Sequence, residues 1–337
     1  MTLEQRYPSA AGHRAAPRST AARVGLALGV TAAALAGLAA ANVLAAREAE
    51  RRNPPKGRFL TVDGVRLHYL EEGEGPPVVL IHGNVSTSDD FLISGLFERL
   101  SRTHRVIAID RPGFGHSERP RGPSWTPGEQ AALLRRAIGR LGLERPVVVG
   151  HSFGATVAMA LALDHPDALG GIVLLAGYYF PTKRIDVVLA APPAIPVLGD
   201  VLRYTLSPPF GAASLPLLVK TMFAPREVPD GFMEQFPASL AVRPGQILAS
   251  SQDGVTMVPS ADAMQHRYGA LALPVAIFTG TEDRVVGAEG QSGRLHEVVR
   301  QSTLHRLPGV GHMVHHADPD LVVQEVERVS ALAKARV

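Results

Sequence analysis

Ser152 is the residue of this sequence whose surroundings best suit nucleophilic chemistry. It lies in the run Val147–Gly154, where an apolar segment of strand type ends in the pattern glycine, any residue, serine, any residue, glycine. A strand that passes into a helix through so tight a turn needs glycine beside the serine, and the turn exposes the serine Oγ at the edge of a sheet. The next N–H, that of Phe153, would stand at a helix N-terminus and attract negative charge. The pattern predicts a nucleophile with one oxyanion donor beside it.

Two later strand ends supply residues that would activate this serine. Asp283 follows the strand-like segment Val275–Phe278, and His312 follows the short segment Thr303–Leu307 in a glycine-flanked loop. The chain order serine, aspartate, histidine is the one expected when the serine occupies such a strand-to-helix turn. We therefore predict that His312 takes the proton from Ser152, and that Asp283 orients the imidazole and stabilises its charged form.

Neighbouring residues offer alternatives for these roles. Glu282 directly precedes Asp283 and is the second candidate for the acid. His315 and His316 follow the predicted base closely and are interpreted as surface residues at the start of a helix. His151, inside the turn, is interpreted as a packing residue that points away from the serine.

The second oxyanion donor is expected after the first long apolar segment. Pro77–Ile81 leads into His82-Gly83-Asn84-Val85. The backbone N–H of Asn84 is the candidate donor beside that of Phe153, and each such donor contributes about 3 kcal/mol to acyl transfer. The ring of His82 is interpreted as structural, holding this loop by hydrogen bonds.

Segments of strand and helix type alternate along most of the chain. Arg58–Val62 and Val65–Leu70 flank Asp63-Gly64, which is a strong signal for a two-residue hairpin. The later alternation predicts a mainly parallel sheet covered by helices on both faces, with ligands bound at the carboxyl ends of the strands. The further strands are predicted at Val78–Ile81, Val106–Ile109, Val147–Val149, Ile172–Ala176, Val275–Phe278 and Thr303–Leu307, and the helices near Asp90–Leu100, Pro127–Leu141, Ala155–Leu163, Glu289–Arg300 and Pro319–Ala333.

The chain contains five motifs that occur together in one known family: His82–Asn84, Asp110–Ser117, Gly150–Gly154, Gly280–Asp283 and Gly311–His312. With them the chain resembles the α/β-hydrolase superfamily over about residues 58–337. The resemblance implies an α/β-hydrolase fold, with a mainly parallel eight-stranded sheet and an inserted helical cap. It also implies that Asp110 is a structural loop residue and not the acid. Members with aspartate at the nucleophile position are dehalogenases or epoxide hydrolases, so serine favours esterase, lipase, amidase, C–C bond hydrolase or perhydrolase activity.

The alternation of strands and helices stops between Ala176 and Pro274, where proline and large apolar side chains are frequent. We interpret residues 178–270 as a cap inserted between the core segments 58–177 and 271–337. The prolines predict short helices. The apolar side chains predict an apolar acyl or alcohol pocket, with most of them packing the cap onto the core.

A separate apolar segment precedes the predicted core. Residues 24–46 contain no charged side chain, are long enough to cross a bilayer and are flanked by arginines. We predict a basic tail (1–23), a transmembrane helix (24–46) and a linker (47–57). The chain would then have a single-pass membrane anchor, and the sequence does not assign the side of the membrane on which the catalytic part lies. The alternatives are a signal peptide cleaved near Val43-Leu44-Ala45, which gives a secreted or periplasmic protein, and an alanine-rich soluble helix.

Composition narrows the remaining functions. The 337 residues include no cysteine, which excludes disulfides and thiolate metal sites. The sequence shows no P-loop, dinucleotide or His-Glu-x-x-His motif and no convincing ligand spacing among its 13 histidines, so we predict neither cofactor nor metal. Residues 1–58 hold nine basic and three acidic residues, net +6, whereas the whole chain is +3. The catalytic part is therefore net negative, which does not favour nucleic-acid binding, while the basic segment suits anionic lipid.

These features together predict a membrane-anchored serine hydrolase. Its small-molecule substrate would be a carboxylic ester with an apolar acyl or alcohol part, cleaved through an acyl-enzyme. C–C bond hydrolysis or perhydrolase (haloperoxidase-like) activity on the same triad is the alternative within enzymes. A ligand-sensing or partner-binding protein that retains the fold is the alternative from another class.

Overall fold

One eight-stranded sheet forms the centre of the protein in the computed structural model, which describes residues 20–122 and 124–335. The strands lie in the order β1-β2-β4-β3-β5-β6-β7-β8. Most of the predicted basic tail lies outside the described residues. The strands are β1 Arg58–Val62, β2 Val65–Glu72, β3 Pro77–Ile81, β4 Arg105–Ile109, β5 Val147–His151, β6 Gly171–Leu175, β7 Val275–Gly280 and β8 Thr303–Leu307.

The pairing of the strands confirms the predicted sheet. β1 and β2 form an antiparallel hairpin, and Asp63 and Gly64 in its turn both have positive φ, 50° and 81°. β2 pairs antiparallel with β4, and the remaining neighbours pair in parallel. The carboxyl ends of the parallel strands therefore meet at one edge of the sheet.

Helices cover both faces of this sheet, as the alternation of the sequence predicts. Leu134 on α4, Val157 on α5 and Met257 on α11 pack in one buried cluster, and Phe91 on α2 and Val326 on α14 pack in the cluster on the other face. The helices are α1 Thr20–Arg52, α2 Asp89–Ile93, α3 Leu96–Ser101, α4 Pro127–Arg140, α5 Phe153–Asp164, α6 Ile185–Ala190, α7 Leu198–Tyr204, α8 Ser207–Phe223, α9 Phe232–Gln235, α10 Ala238–Ala241, α11 Pro244–Gln265, α12 Arg294–Val298, α13 Val314–Ala317 and α14 Pro319–Lys334.

Two of the predicted helices differ from the observed ones. The helix predicted near Asp90–Leu100 is two helices, because Gly95 adopts a left-handed conformation (φ 69°) that ends α2. The helix predicted near Glu289–Arg300 is shorter: a π-helical turn leads into the five residues of α12.

Helices α6 to α11 lie between β6 and β7 in the chain, and we call them the cap. They contact the loops at the carboxyl ends of β3 and β8 through the Asn84–Ser250 and His312–Met222 hydrogen bonds. Most of them are short, as the prolines predict. However, α8 has 17 residues and α11 has 22, with Pro216 and Pro259 in their interiors. The prediction of short helices is wrong for these two, because the tertiary packing of a long helix offsets the loss of one backbone hydrogen bond at an interior proline.

The C-terminal part of helix α1 is attached to the cap. The side chain of Asn42 donates to the carbonyl oxygens of Tyr204 (2.9 Å) and Thr205 (2.7 Å), and Glu50 forms an ion pair with Arg243 at 2.7 Å. Among the described residues, α1 is the one helix long and apolar enough to cross a membrane, and its most apolar 18-residue window has a mean hydropathy of 2.0 and is not buried. The most apolar window of α1 therefore lies outside the packed core of the domain.

Candidate active site

Ser152 occupies a strained turn between β5 and α5. Its backbone has φ 53° and ψ −120°, a region that residues other than glycine rarely adopt and that is typical of functional sites. The two flanking glycines are required by close approach: a Cβ at Gly150 would lie 2.4 Å from the carbonyl oxygen of Gly154, and one at Gly154 would lie 2.2 Å from that of Ile81. The turn therefore holds the half-buried serine at the carboxyl edge of the sheet, as the sequence predicts.

Asp283 and His312 are brought together at the same edge. Nδ1 of His312 lies 2.8 Å from Oδ2 of Asp283, and both side chains are buried. Oδ1 of the aspartate accepts the N–H groups of Val285 (2.8 Å) and Val286 (3.2 Å). Burial raises the pKa of Asp283, but the charge and hydrogen bond of His312 outweigh this, so the pKa lies below its usual value. The ionised carboxylate thus fixes the proton on Nδ1 and leaves Nε2 of His312 as an acceptor.

Glu282, the alternative acid, is exposed to solvent. Its backbone N–H donates to the carbonyl oxygen of Val310 at 2.9 Å, which holds the β7 loop beside the β8 loop. The geometry therefore favours Asp283 over Glu282 as the partner of His312.

The loop after β3 is held by a buried arginine. Arg111, which is fully buried, donates from Nε to the carbonyl oxygen of His82 and from Nη2 to that of Gly83, both at 2.9 Å. The peptide between Gly83 and Asn84 is trans, so its N–H points opposite to its carbonyl. The N–H of Asn84 therefore points away from Arg111. Gly83 lies against Ser152, since a Cβ at Gly83 would be 3.1 Å from the Cβ of Ser152.

The ring of His82 has the structural role that the sequence predicts. Its Nδ1 donates to the carbonyl oxygen of Gly83 at 2.7 Å, and its Nε2 accepts the N–H of Arg111 at 2.9 Å. Burial and the charge of Arg111 lower the pKa of His82 to about 3, so the ring is neutral and can make both bonds. It thus fixes the direction of the same Gly83 carbonyl.

The N–H of Phe153 begins helix α5, where no carbonyl of the helix itself is available to it. The carbonyl oxygen of Ser152 accepts the N–H of Ala155 at 3.0 Å, which directs it into the helix and the N–H of Phe153 outward. The two predicted oxyanion donors are thus both backbone groups of fixed orientation.

The Asn84 side chain contacts the cap. Its Nδ2 donates to the carbonyl oxygen of Ser250 on α11 at 3.1 Å, and its Oδ1 accepts the N–H of Val85 at 2.9 Å. Its two hydrogen bonds thus join the cap to the predicted oxyanion loop.

Asp110 is a structural residue, as the resemblance implies. Its carboxylate binds Nδ1 of His68 at 2.8 Å and the N–H groups of Ser88 (2.8 Å) and His116 (3.1 Å). Burial by itself raises the pKa of Asp110, but these bonds, led by that of His68, lower it to about 2. The carboxylate therefore ties β2 to the loops after β3 and β4.

A cluster of Asp90, His315 and His316 lies behind the catalytic edge. The interpretation of both histidines as surface residues is wrong: His315 is fully buried and His316 is 5% exposed at its side chain. Nε2 of His315 and Nε2 of His316 bind different oxygens of Asp90, at 2.9 and 2.8 Å. These ligand-type atoms lie within 4.8 Å of one another, a proximity that the sequence spacing did not show. Each carboxylate oxygen of Asp90 already has an imidazole as its hydrogen-bond partner. We therefore assign the cluster a structural role.

His151 connects this cluster to the predicted base. Its Nε2 lies 3.2 Å from the carbonyl oxygen of His312, and its ring centroid lies 4.5 Å from that of His315. Burial and the neighbouring histidines hold the pKa of His151 well below its usual value, so the ring is neutral. His151 is therefore the predicted packing residue, and it also supports the His312 backbone.

A narrow apolar cavity of about 20 Å³ lies beside the site. It is bounded by Val85, next to the oxyanion loop, and by Met313, next to His312. Its other walls come mostly from α8 and α9 of the cap. The apolar residues there are Leu215, Leu218, Val219, Met222, Phe223, Phe232 and Phe236.

Residues 76–319 match the family model of the α/β hydrolase fold, so the chain belongs to this family. A curated relative is haloalkane dehalogenase 2 of Mycobacterium tuberculosis, 28% identical over 286 residues, which are 81% of this chain and 94% of the relative. An esterase from Thermogutta terrifontis has a similar structure, with a TM-score of 0.67 and 22% identity, covering 82% of this chain and 99% of that one. A bacterial membrane phospholipase A matches with a TM-score of 0.62 and 21% identity, covering 93% of this chain and 97% of its own. The predicted superfamily and hydrolase class are thereby confirmed.

Proposed function

We propose that this protein is a membrane-anchored serine hydrolase that cleaves a carboxylic ester with an apolar acyl or alcohol part. The observation that carries the proposal is the buried Asp283–His312 hydrogen bond at the same sheet edge as the strained turn of Ser152. A strained serine and an oriented imidazole together are the elements of nucleophilic acyl transfer.

The reaction follows from these groups. Nε2 of His312 takes the proton of Ser152 as Oγ attacks the ester carbonyl carbon, and the N–H groups of Asn84 and Phe153 bind the oxygen that becomes negative. The imidazolium, stabilised by Asp283, returns its proton to the leaving alcohol as the ester bond breaks. Water then attacks the acyl-enzyme with His312 as the base, and the acid and free Ser152 are released.

Dehalogenation, the activity named for one relative, does not suit this chain. Displacement of a halide by the Oγ of Ser152 would give an alkyl ether on the serine. An ether has no acyl carbon for water to attack, so the enzyme would not turn over. An acyl substrate instead gives an acyl-enzyme, which water can hydrolyse to release Ser152.

The apolar cavity supports an apolar substrate. Asn84 and Val85 of the loop after β3 line the cavity, as does Met313, which follows His312 in the chain. We infer that an acyl chain in the cavity extends from a carbonyl group bound at Ser152. A cavity of about 20 Å³ holds no more than one water molecule. We therefore infer that α8 and α9 move apart when a substrate binds.

Helix α1 supports the membrane anchor. The uncharged span 24–46 is about 34 Å long as a helix, enough for the hydrocarbon core of a bilayer. Asn42 lies near the end of this span and binds α7, so the cap is expected to rest at the membrane surface. Several cap side chains that are both large and apolar are exposed and would face lipid there, among them Val188, Leu189, Val197 and Phe210.

The function is tested by Ser152→Ala in the full-length protein in detergent, with Ser214→Ala on the cap as the control. We expect loss of turnover of p-nitrophenyl butyrate and octanoate in the first variant only, together with loss of fluorophosphonate labelling. Full turnover by Ser152→Ala would refute the assignment. A wild-type protein that is not labelled would instead favour a ligand-sensing role, and a panel with C–C bond substrates separates ester from C–C hydrolysis.

The anchor is tested independently by alkaline carbonate extraction of membranes that contain the full-length protein. We expect the protein to stay with the membrane pellet. Release into the supernatant would contradict the anchor and would favour a cleaved or soluble leader.

A further inference from the structure

A large cavity lies where the C-terminal part of α1 meets the cap. It measures about 650 Å³. Val43, Ala46, Arg47 and Glu50 of α1 form one wall. The other walls come from Pro55, Arg66 on β2, the turn after β4, the end of α7 and the start of α11.

Arginine side chains dominate the lining of this cavity. Glu50 is the one carboxylate among the lining residues, and it is paired with Arg243 at 2.7 Å. Asp200 pairs with two of the arginines and Asp253 with a third. The arginines are Arg47, Arg66, Arg119, Arg121, Arg203 and Arg243.

The positive charge exceeds the negative charge of all these neighbours. Even when Glu118, which accepts the backbone N–H of Arg66 at 3.3 Å, is counted with Glu50, Asp200 and Asp253, six guanidinium groups face four carboxylates. In the part of the chain that the structure describes, the guanidinium groups of Arg47 and Arg66 form no ion pair. The guanidinium group of Arg66 lies 3.4 Å over the ring of Phe59. Arg47 and Arg66 are both exposed. The guanidinium groups of Arg47 and Arg66 are thus available to bind an anion.

The position of the cavity beside the apolar span indicates what kind of anion it would bind. Arg47 directly follows the uncharged span 24–46, so it stands where the hydrocarbon core of a bilayer ends and the headgroups begin. Val43 and Ala46, which also line the cavity, belong to the span itself. A ligand in the cavity would therefore have its charged group among arginines and its apolar part along α1.

We propose that this cavity binds the phosphate group of an anionic glycerophospholipid of the surrounding membrane. Guanidinium groups bind phosphate oxygens through paired, charge-assisted hydrogen bonds, and basic pockets beside membrane helices select anionic headgroups. The bound lipid is a structural partner that seats the cap on the membrane, and it is distinct from the ester at Ser152. The proposal rests on the membrane anchor of the proposed function.

The experiment is native mass spectrometry of the full-length protein in detergent, titrated with phosphatidylglycerol or phosphatidylcholine of the same acyl chains. Three proteins are compared: wild type, Arg47→Gln/Arg66→Gln, and Arg135→Gln/Arg300→Gln, which removes two exposed arginines elsewhere. We expect wild type to bind phosphatidylglycerol at least about tenfold more tightly than phosphatidylcholine. This preference should be lost in the first variant and kept in the second.

Two outcomes would overturn the proposal. The first is equal binding of the two lipids by wild type, or an equal loss in both variants, which indicates general surface charge. The second is that glycerol 1-phosphate competes as strongly as the lipid, which indicates a soluble phosphate ligand. The lipid titration is repeated with Ser152→Ala, so that its result does not depend on the hydrolase assignment. Carbonate extraction tests the membrane anchor separately.

Discussion

The backbone N–H of His312 donates a hydrogen bond of 2.9 Å to the carbonyl oxygen of Met222, the penultimate residue of the cap helix α8. The predicted base is therefore attached directly to the helix that lines the apolar cavity. A cap movement that admits a substrate would also move the loop of the base, which couples substrate entry to the geometry of proton transfer.

The cavity walls should set the chain length of the substrate. Val219 on α8 is 4% exposed and lines the cavity, so Val219→Phe fills space that a longer acyl chain would need. We expect the ratio of kcat/KM for p-nitrophenyl octanoate to that for the acetate to fall about tenfold. The control is Leu217→Phe, on the same helix but 69% exposed, which should keep the wild-type ratio. An unchanged ratio in Val219→Phe would place the acyl chain elsewhere.

The proton on Nδ1 of His312 depends on the charge of Asp283. Asp283→Asn offers an amide N–H to that nitrogen, so the imidazole keeps its proton on Nε2 and no longer accepts one from Ser152. We expect kcat to fall by about 10⁴-fold with little change in thermal unfolding. Glu282→Gln, one residue away and exposed, should retain full activity. Comparable losses in both variants would speak against the assignment of the acid.

The buried carboxylate of Asp253 neutralises two arginines. It lies on α11 and binds Arg111 at 2.5 Å and Arg119 at 3.1 Å, with all three side chains nearly inaccessible. Asp253→Ala leaves buried positive charge unpaired, which costs about 3–5 kcal/mol of unfolding free energy. Because Arg111 also binds the carbonyls of the oxyanion loop, kcat should fall as well.

The charge effect at Asp253 is checked by thermal unfolding and by steady-state kinetics. Asp262→Ala, on the exposed face of the same helix, is the control and should match wild type in both. A stable, fully active Asp253→Ala protein would show that the arginines find other partners.

Asp110 should make the protein sensitive to acid. Its pKa is about 2 in the folded protein against 3.8 ordinarily, so the unfolded state takes up a proton first as the pH falls. Its contribution, about 2 kcal/mol, is complete above about pH 5 and is lost between about pH 5 and pH 2. Asp110→Asn should unfold at a lower temperature than wild type at pH 7, and this gap should narrow as the pH falls towards 3. A gap independent of pH, or one matched by exposed Asp167→Asn, would contradict the assignment.

The sequence predicted those parts of the site that local patterns encode. The turn at Ser152 depends on the glycines beside it. The loop of Asp283 follows the apolar strand β7, and the loop of His312 follows the short strand β8 and is flanked by glycine. By contrast, His315 and His316 follow His312 in a segment with no apolar periodicity, and only the fold brings Asp90 to them from 225 residues away. The contact of Asn84 with Ser250, over 166 residues, likewise has no local signal.

The unpredicted features of the cap have the same origin. Pro216 and Pro259 break a local rule for helices, and tertiary packing decides the outcome. The arginine-lined cavity combines residues of α1, the β4 turn and two cap helices, so no single segment of the sequence reveals it.

Two helices of the cap, α8 and α11, are attached to different parts of the proposed catalytic site. Helix α11 is fixed to the oxyanion loop through Asp253 and through the carbonyl of Ser250, by bonds to buried charged and amide groups. Helix α8 is fixed to the loop of His312 by a main-chain bond at Met222. A lid that opens at α8 would therefore leave the oxyanion donors in place while it disengages the base. In an open enzyme without substrate, the N–H donors of Asn84 and Phe153 would therefore stay in position. His312 would reach its catalytic position only when the cap closes over a substrate. Attack by Ser152 before the acyl group is bound would thereby be limited.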